Sequence, residues 1–196
     1  MGSEFFVHPQ ALNESSQVGA GTRIWAFAHV MKGAVVGEKC NIGDHAFIET
    51  GAVVGNGVII KNGVGVWEGV TLEDAVFVGP FAVFTNDRFP RSRHNPHAVA
   101  RYKDDSWLEH TTIRKGASLG ANSTIMCGVT VGQYAMVAAN AFVRENVPDF
   151  ALVAGLPGRV IGYVCACGLK LPSTGALRCS GCGAEYESAE KGLRMK

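Results

Sequence analysis

The chain has 196 residues, a formal net charge of +1 and 47% hydrophobic content, enough for one sizeable core and a small appendage. So balanced a charge excludes attachment to nucleic acid or an anionic membrane by bulk electrostatics, and any phosphorylated ligand must be held by local groups. The opening segment, MGSEFFVHPQ, has no long apolar run, so no membrane partner is expected and the expected compartment is the cytoplasm. In that compartment the six cysteines should serve as thiols or metal ligands rather than disulfides.

From Val18 to Phe84 an aliphatic or aromatic residue stands at every sixth position, including Ile24, Ile42, Ile48, Ile60 and Val78. Four residues after each comes a small or β-branched side chain, such as Ala28, Ala46 or Val64; Arg88 alone breaks this rule. Gly or Asn often stands three residues after the aliphatic, as at Gly21, Gly51, Asn122, Asn140 and Asn146, where the chain can turn through positive φ. A helix needs spacings of three and four and a lone strand needs alternation, so a strict six fits neither. It fits a parallel β-helix in which three hexapeptides make one eighteen-residue coil. The pattern resembles the left-handed β-helix of the hexapeptide-repeat acyltransferases, an exception to right-handed crossovers. The expected fold is therefore all-β, with about six coils.

The step from Phe84 to Ile113 is twenty-nine residues, so about twenty-three leave the coil. This loop excursion, residues 85–112, interrupts a solenoid domain assigned to residues 1–164, and a long departure from so regular a scaffold carries function. Arg88, Arg91 and Arg93 beside Asp87 suit a phosphate or carboxylate ligand, or a contact with a neighbouring subunit. The six-residue pattern resumes at Ile113 and runs to Val143. Beyond Val164 the composition changes. In the tail, residues 165–196, Cys165 and Cys167 form a C-x-C pair, and Cys179 and Cys182 follow as C-x-x-C after eleven intervening residues. Two such pairs beside glycines suit a tetrahedral structural zinc in a small ribbon, with no open position for catalysis.

The stretches VWEGVTLEDAVFVGPFAVFTNDRFPRS, IRKGASLGANSTIMCGVTVGQYAMVAANAFV and VPDFALVAGLPGRVIGYV resemble the bacterial nucleotide-sugar 3-N-acetyltransferases. The likeness is greatest to enzymes acting on UDP-2-acetamido-3-amino-2,3-dideoxy-D-glucuronate in lipopolysaccharide O-antigen synthesis; the dTDP-3-amino-3,6-dideoxyhexose N-acetyltransferases are the near alternative. The resemblance implies a homotrimer with acetyl-CoA between adjacent β-helices and the nucleotide sugar nearby. Coil arithmetic puts Thr50, Glu68, Asn86 and Cys127 in one outward column and Glu49, Trp67, Thr85 and Met126 in the next, at the root of the excursion.

Many hexapeptide acyltransferases carry a general-base histidine near this loop. Here Asn86 stands in the matching neighbourhood, and an amide is no proton acceptor at neutral pH. A sugar amine needs less activation than a hydroxyl, so direct attack with Asn86 as the positioning group is expected. Glu68 or Asp87 then takes the proton, and Glu49, Trp67 and Arg91 complete the substrate-binding set. The resemblance places Gly116, Ala117, Ser118 and Ala135 along the pantetheine arm of coenzyme A and Arg159 of GLPGR at a phosphate. From another class, a β-helical scaffold with a zinc-ribbon interaction module gives the excursion no purpose. A γ-class carbonic anhydrase needs histidines at coil spacing, which these six lack.

Overall fold

The computed structural model describes residues 4–196, so the first three residues of the expected solenoid domain lie outside the described residues. Three stacks of short parallel strands form the walls of a triangular solenoid. Face 1 begins at Phe6–Val7 and Arg23–Ile24, continues through Asn41–Ile42, Ile59–Ile60, Phe77–Val78, Ser118–Leu119 and Met136–Val137, and reaches Ala151–Ala154. Face 2 stacks seven strands from Leu12–Asn13 to Phe142–Val143, and face 3 stacks five from Val35–Val36 to Thr130–Val131.

Register follows the repeat. Ile24 pairs with Ile42, Ile42 with Ile60 and Ile60 with Val78, each one coil on, and all four side chains are buried. The small positions close the interior at the corners, where Ala28, Ala34, Ala46 and Ala52 are no more than 1% exposed. Burying a column of this kind removes apolar surface along the whole axis and supplies the main driving force for coiling. Polar residues also reach the interior: the Thr22 hydroxyl donates to the Gly37 carbonyl and accepts from the Cys40 amide, whereas the equally buried Thr111 and Ser123 hydroxyls have no hydrogen-bond partner among the described residues.

Three details differ from the sequence reading. Face 1 holds eight parallel strands rather than about six, because Phe6–Val7 and Ala151–Ala154 extend the stack at either end beyond the periodic residues. Left-handed corners are not reserved for Gly and Asn. Phe27, Lys39, His45, Ala75, Phe81, Tyr134 and Phe150 also adopt positive φ, whereas Asn146 does not; its Oδ1 instead accepts the Thr130 amide. Each such residue costs about 1–2 kcal/mol locally, and stacking offsets some of it: the Phe27 and His45 rings lie 4.9 Å apart at 16°, and those of Tyr134 and Phe150 lie 5.2 Å apart at 17°. The excursion is also shorter than residues 85–112, since the strand Thr111–Ile113 already lies in face 3, paired with Val70–Leu72.

Two 3₁₀ turns, Val99–Tyr102 and Asp105–Trp107, are the only regular elements inside the excursion. Among the described residues no helix is long and apolar enough to cross a membrane. After face 1 the chain reverses into the antiparallel strand Arg159–Tyr163, then enters the tail, which ends in the hairpin Tyr186–Ala189 and Gly192–Met195. The tail does not stand apart: Phe150, 3% exposed, packs with Cys165, Leu171, Cys179, Tyr186 and Leu193.

Candidate active site

Phe84 pairs with Ile125, so the excursion leaves and rejoins the coil at the corner between faces 2 and 3. The site is assembled at that corner from three successive coils. Trp67 lies along the outer surface of face 2, where its indole nitrogen donates to the Phe84 carbonyl at 2.9 Å and its ring centroid is 5.6 Å from that of Phe47. Gly65 makes this possible, because a Cβ there would sit 2.7 Å from the indole Cζ2.

Glu49 and Thr85 each tie the corner to the next coil in the same way. The Glu49 carboxylate accepts the Glu68 amide at 2.8 Å, and the Thr85 hydroxyl accepts the Cys127 amide at 2.9 Å. Glu49 is thus engaged in holding the corner. Glu68 is half-buried with its side chain across Gly51, and its backbone carbonyl accepts Asn86 Nδ2 at 3.3 Å. A carbonyl only accepts, so this bond fixes the amide orientation and leaves Asn86 Oδ1 as an acceptor directed elsewhere.

Asp87 is the clamp of the excursion. Its carboxylate accepts the Phe89 amide at 2.8 Å, the Tyr102 hydroxyl at 2.8 Å and the Arg101 guanidinium. Partial burial pushes the carboxyl upward, but these three donors outweigh it and hold Asp87 below the usual carboxylate range. Arg88 makes a two-pronged pair with Glu109, at 2.8 and 2.7 Å, and also donates to the Cys127 carbonyl at 3.0 Å. Hydrogen bonding from Arg88 lowers the Glu109 carboxyl against its partial burial. Of the other loop arginines, Arg93 lies over the Tyr102 and Trp107 rings at 5.2 and 5.4 Å, while Arg91 is exposed and its side chain donates only to the neighbouring Pro90 carbonyl. Sequence reasoning missed Arg101, Tyr102, Trp107 and Glu109. The one signal available was Arg88, the sole break in the small-residue rule.

Several expected site residues lie elsewhere. Cys127 is fully buried rather than outward, covered by Arg88 and Glu109 above Gly128. Ala117 and Ala135, at 0% and 1% exposure, belong to the interior, so their side chains close the core rather than line a pantetheine arm. Gly116 is needed for its left-handed corner, and the space left by its missing Cβ is filled by the Tyr134 ring. Ser118 faces outward on face 1, and Arg159 is exposed near Glu145 at 3.9 Å. Among the described residues no hydrogen bond joins a histidine side chain to Asn86, Glu68 or Asp87; His29 pairs with Glu14 at 2.9 Å and His45 stacks on Phe27.

A triangular coil with a clamped excursion at one corner is the architecture of a hexapeptide-repeat solenoid. The bacterial transferase hexapeptide family, six repeats, matches residues 15–50 and 110–145. The dTDP-3-amino-3,6-dideoxy-alpha-D-galactopyranose 3-N-acetyltransferase of Aneurinibacillus thermoaerophilus is 46% identical over 185 residues, covering 94% of this chain and 92% of that protein. The acetyltransferase domain of PglB from Neisseria gonorrhoeae FA1090 superposes with a TM-score of 0.52 at 21% identity, covering 81% of this chain and 58% of that one. Its complex with acetyl coenzyme A gives 0.50 at 20%, with 80% and 57% covered; at such identities the likeness is one of fold. The chain belongs to the hexapeptide-repeat transferases, and it is an N-acetyltransferase.

Proposed function

We propose that the chain transfers the acetyl group of acetyl-CoA to the 3-amino group of a nucleotide-linked amino sugar, and that this sugar is a dTDP-3-amino-3,6-dideoxyhexose. The reading rests on the 46% identity to the Aneurinibacillus enzyme, which spans the solenoid, the excursion and the tail. The UDP-linked uronate is the second reading. Its carboxylate calls for an uncommitted cation, and Arg88 and Arg101 are already paired with Glu109 and Asp87, which leaves Arg91, or Arg93 from its place over the Tyr102 and Trp107 rings, for that contact.

In the reaction, Asn86 Oδ1 accepts an N–H of the sugar amine and aims the nitrogen lone pair at the thioester carbonyl. The C–N bond forms, the tetrahedral oxyanion collapses, and the C–S bond breaks to release coenzyme A. Glu68 is better placed than Asp87 to receive the ammonium proton, because both Asp87 oxygens are taken by donors. Trp67 and Glu49 shape the floor of the sugar site.

Asn86 stands at the corner of faces 2 and 3, whereas Ser118 and Arg159 lie along face 1, on the far side of the triangle. A coenzyme touching both sets therefore lies between two copies, which favours a homotrimer with three shared sites. In that arrangement Ser118 and the backbone at Gly116 flank the pantetheine arm, and Arg159 meets a phosphate. The test is incubation with acetyl-CoA and either dTDP-3-amino-3,6-dideoxygalactose or UDP-2-acetamido-3-amino-2,3-dideoxy-D-glucuronate, following free coenzyme A thiol. A higher kcat/KM with the dTDP sugar is expected; a preference for the uronate reverses the assignment and puts the enzyme in O-antigen uronate synthesis.

A further inference from the structure

The tail contains a second constellation that acetyl transfer does not use. Two tight turns face each other. In one, the Gly168 amide donates to the Cys165 carbonyl at 2.8 Å and the Cys165 amide to Leu169. In the other, the Gly183 amide donates to Cys179 at 3.0 Å and the Cys179 amide to Ala184. Gly168 and Gly183 both have positive φ, so each turn folds back sharply after its cysteine pair.

The sulfurs converge. Cys165 and Cys182 Sγ are 3.4 Å apart, Cys167 and Cys179 Sγ are 3.5 Å apart, and all four lie within 4.8 Å of one another. A tetrahedral zinc with Zn–S bonds of about 2.3 Å sets sulfurs about 3.8 Å apart, so the cluster has the size of a zinc site. It also has outer support: the Tyr186 hydroxyl donates to Cys165 Sγ at 3.1 Å and accepts the Ala166 amide at 2.9 Å.

The same cluster joins the tail to the last coil. Cys165 is 1% exposed and directly follows Val164, whose amide donates to the Phe150 carbonyl at 2.8 Å. Tyr186 packs edge-on against Phe150 at 5.1 Å, the Asp149 amide donates to the Lys191 carbonyl at 2.6 Å, and the Leu193 amide donates back to Asp149. Between the hairpin and the coil runs a groove of about 630 Å³ lined by Arg114, Asp149, Tyr163, Ser188 and Lys191. A tail of this size has too small a core to hold such a position unaided.

We propose that Cys165, Cys167, Cys179 and Cys182 bind one Zn²⁺, and that the metal fastens the hairpin over the last coil, covering Phe150 and forming the outer wall of the groove. With four thiolate ligands the ion has no open position, so its role is structural.

The experiment uses the full chain purified without chelator. About one zinc per chain by elemental analysis is expected, with these four thiols slow to alkylate until the metal is removed. Chelation, and separately the Cys167→Ser/Cys182→Ser variant, should speed hydrogen exchange at the amides of Asp149, Val164 and Leu193 by about tenfold or more, while Ile42, Ile60 and Val78 keep their protection. Iron in place of zinc, a disulfide among the four by mass, well under one zinc per chain, or metal loss that leaves those three amides protected would each overturn the proposal.

Discussion

Gly65→Ala probes the floor of the site through a single methyl group. Gly65 does not have a left-handed φ, so elsewhere in a strand the change would stabilise the chain by about 0.4–1 kcal/mol through the unfolded state. Here the new Cβ falls 2.7 Å from Trp67 Cζ2 and 3.0 Å from Cη2. The indole is rigid, packed against Phe47 and hydrogen-bonded to the Phe84 carbonyl, so it has no cheap way to yield. Overpacking of this kind costs about 1–3 kcal/mol, and losing the indole bond adds about 1 kcal/mol. For a chain of this size the total corresponds to a fall in Tm of about 5–15 °C at fixed protein concentration. Because Phe84 lies two residues before Asn86, turnover should fall as well, by about tenfold. Thermal denaturation and steady-state kinetics on Gly65→Ala, Trp67→Phe and the double variant form a cycle. A phenyl ring does not reach the Cζ2 and Cη2 positions, so adding Gly65→Ala to Trp67→Phe should cost almost nothing. If Gly65→Ala is as stable as the parent, or costs the same in both backgrounds, the indole does not occupy this place.

Asn86→Ala should lower kcat by roughly 10²-fold or less, since it removes orientation and no obligatory base; a larger loss on His45→Asn or His94→Asn, with folding intact, would install that histidine as the base. Asp87→Asn should speed hydrogen exchange in residues 89–102 and leave the solenoid melting temperature almost unchanged, because its partners Phe89, Arg101 and Tyr102 all lie within the excursion. The Asp87 carboxyl sits lower in the folded chain than in the unfolded one, so its contribution is complete above the ordinary carboxylate range, declines as pH falls below that range and is gone below the depressed value; opening of the excursion, corrected for the intrinsic pH dependence of exchange, that does not increase over that interval would contradict this. Deleting the residues after Val164 should lower Tm by uncovering Phe150 yet leave a soluble β-helix, and light scattering on it should still report a trimer; a monomer of the full chain would remove the shared site.

The core was legible because one rule, repeated, fixes one geometry: an aliphatic at every sixth residue leaves little choice of partner, and even the pairing of Phe84 with Ile125 across the excursion follows from counting. The corners were less legible. Phe27, Phe81 and Tyr134 take a backbone conformation that their residue type disfavours, and only the stack above and below imposes it. Position in the repeat also outweighed the chemistry of individual residues. Ala117 and Ala135 read as room for a ligand and are core; Cys127 read as outward and is covered by an ion pair whose members, Arg88 and Glu109, are twenty-one residues apart. Asp87 and Tyr102 meet inside an aperiodic loop, where no spacing rule links them. The cysteine pairs were visible from spacing, but their contact with the coil through Phe150 and Tyr186 has no counterpart in the repeat.

A column of identical rungs has no inherent length, since the last strand of a parallel stack offers the same unpaired amides and carbonyls as every strand beneath it. Face 1 is ended by a change of direction. The chain turns after Ala151–Ala154, shifts register between Leu152 and Val153, and lays Arg159–Tyr163 down antiparallel. Antiparallel pairing spaces its bonds in alternating narrow and wide pairs, whereas a parallel rung needs them evenly spaced and slanted. The strand that ends face 1 therefore runs against the eight beneath it, and the regular parallel ladder stops with Ala151–Ala154. One reversal thus closes face 1 of a sequence with the logic of a polymer, and the turn that makes it, GLPGR, also carries Arg159, the residue proposed above to meet a coenzyme phosphate.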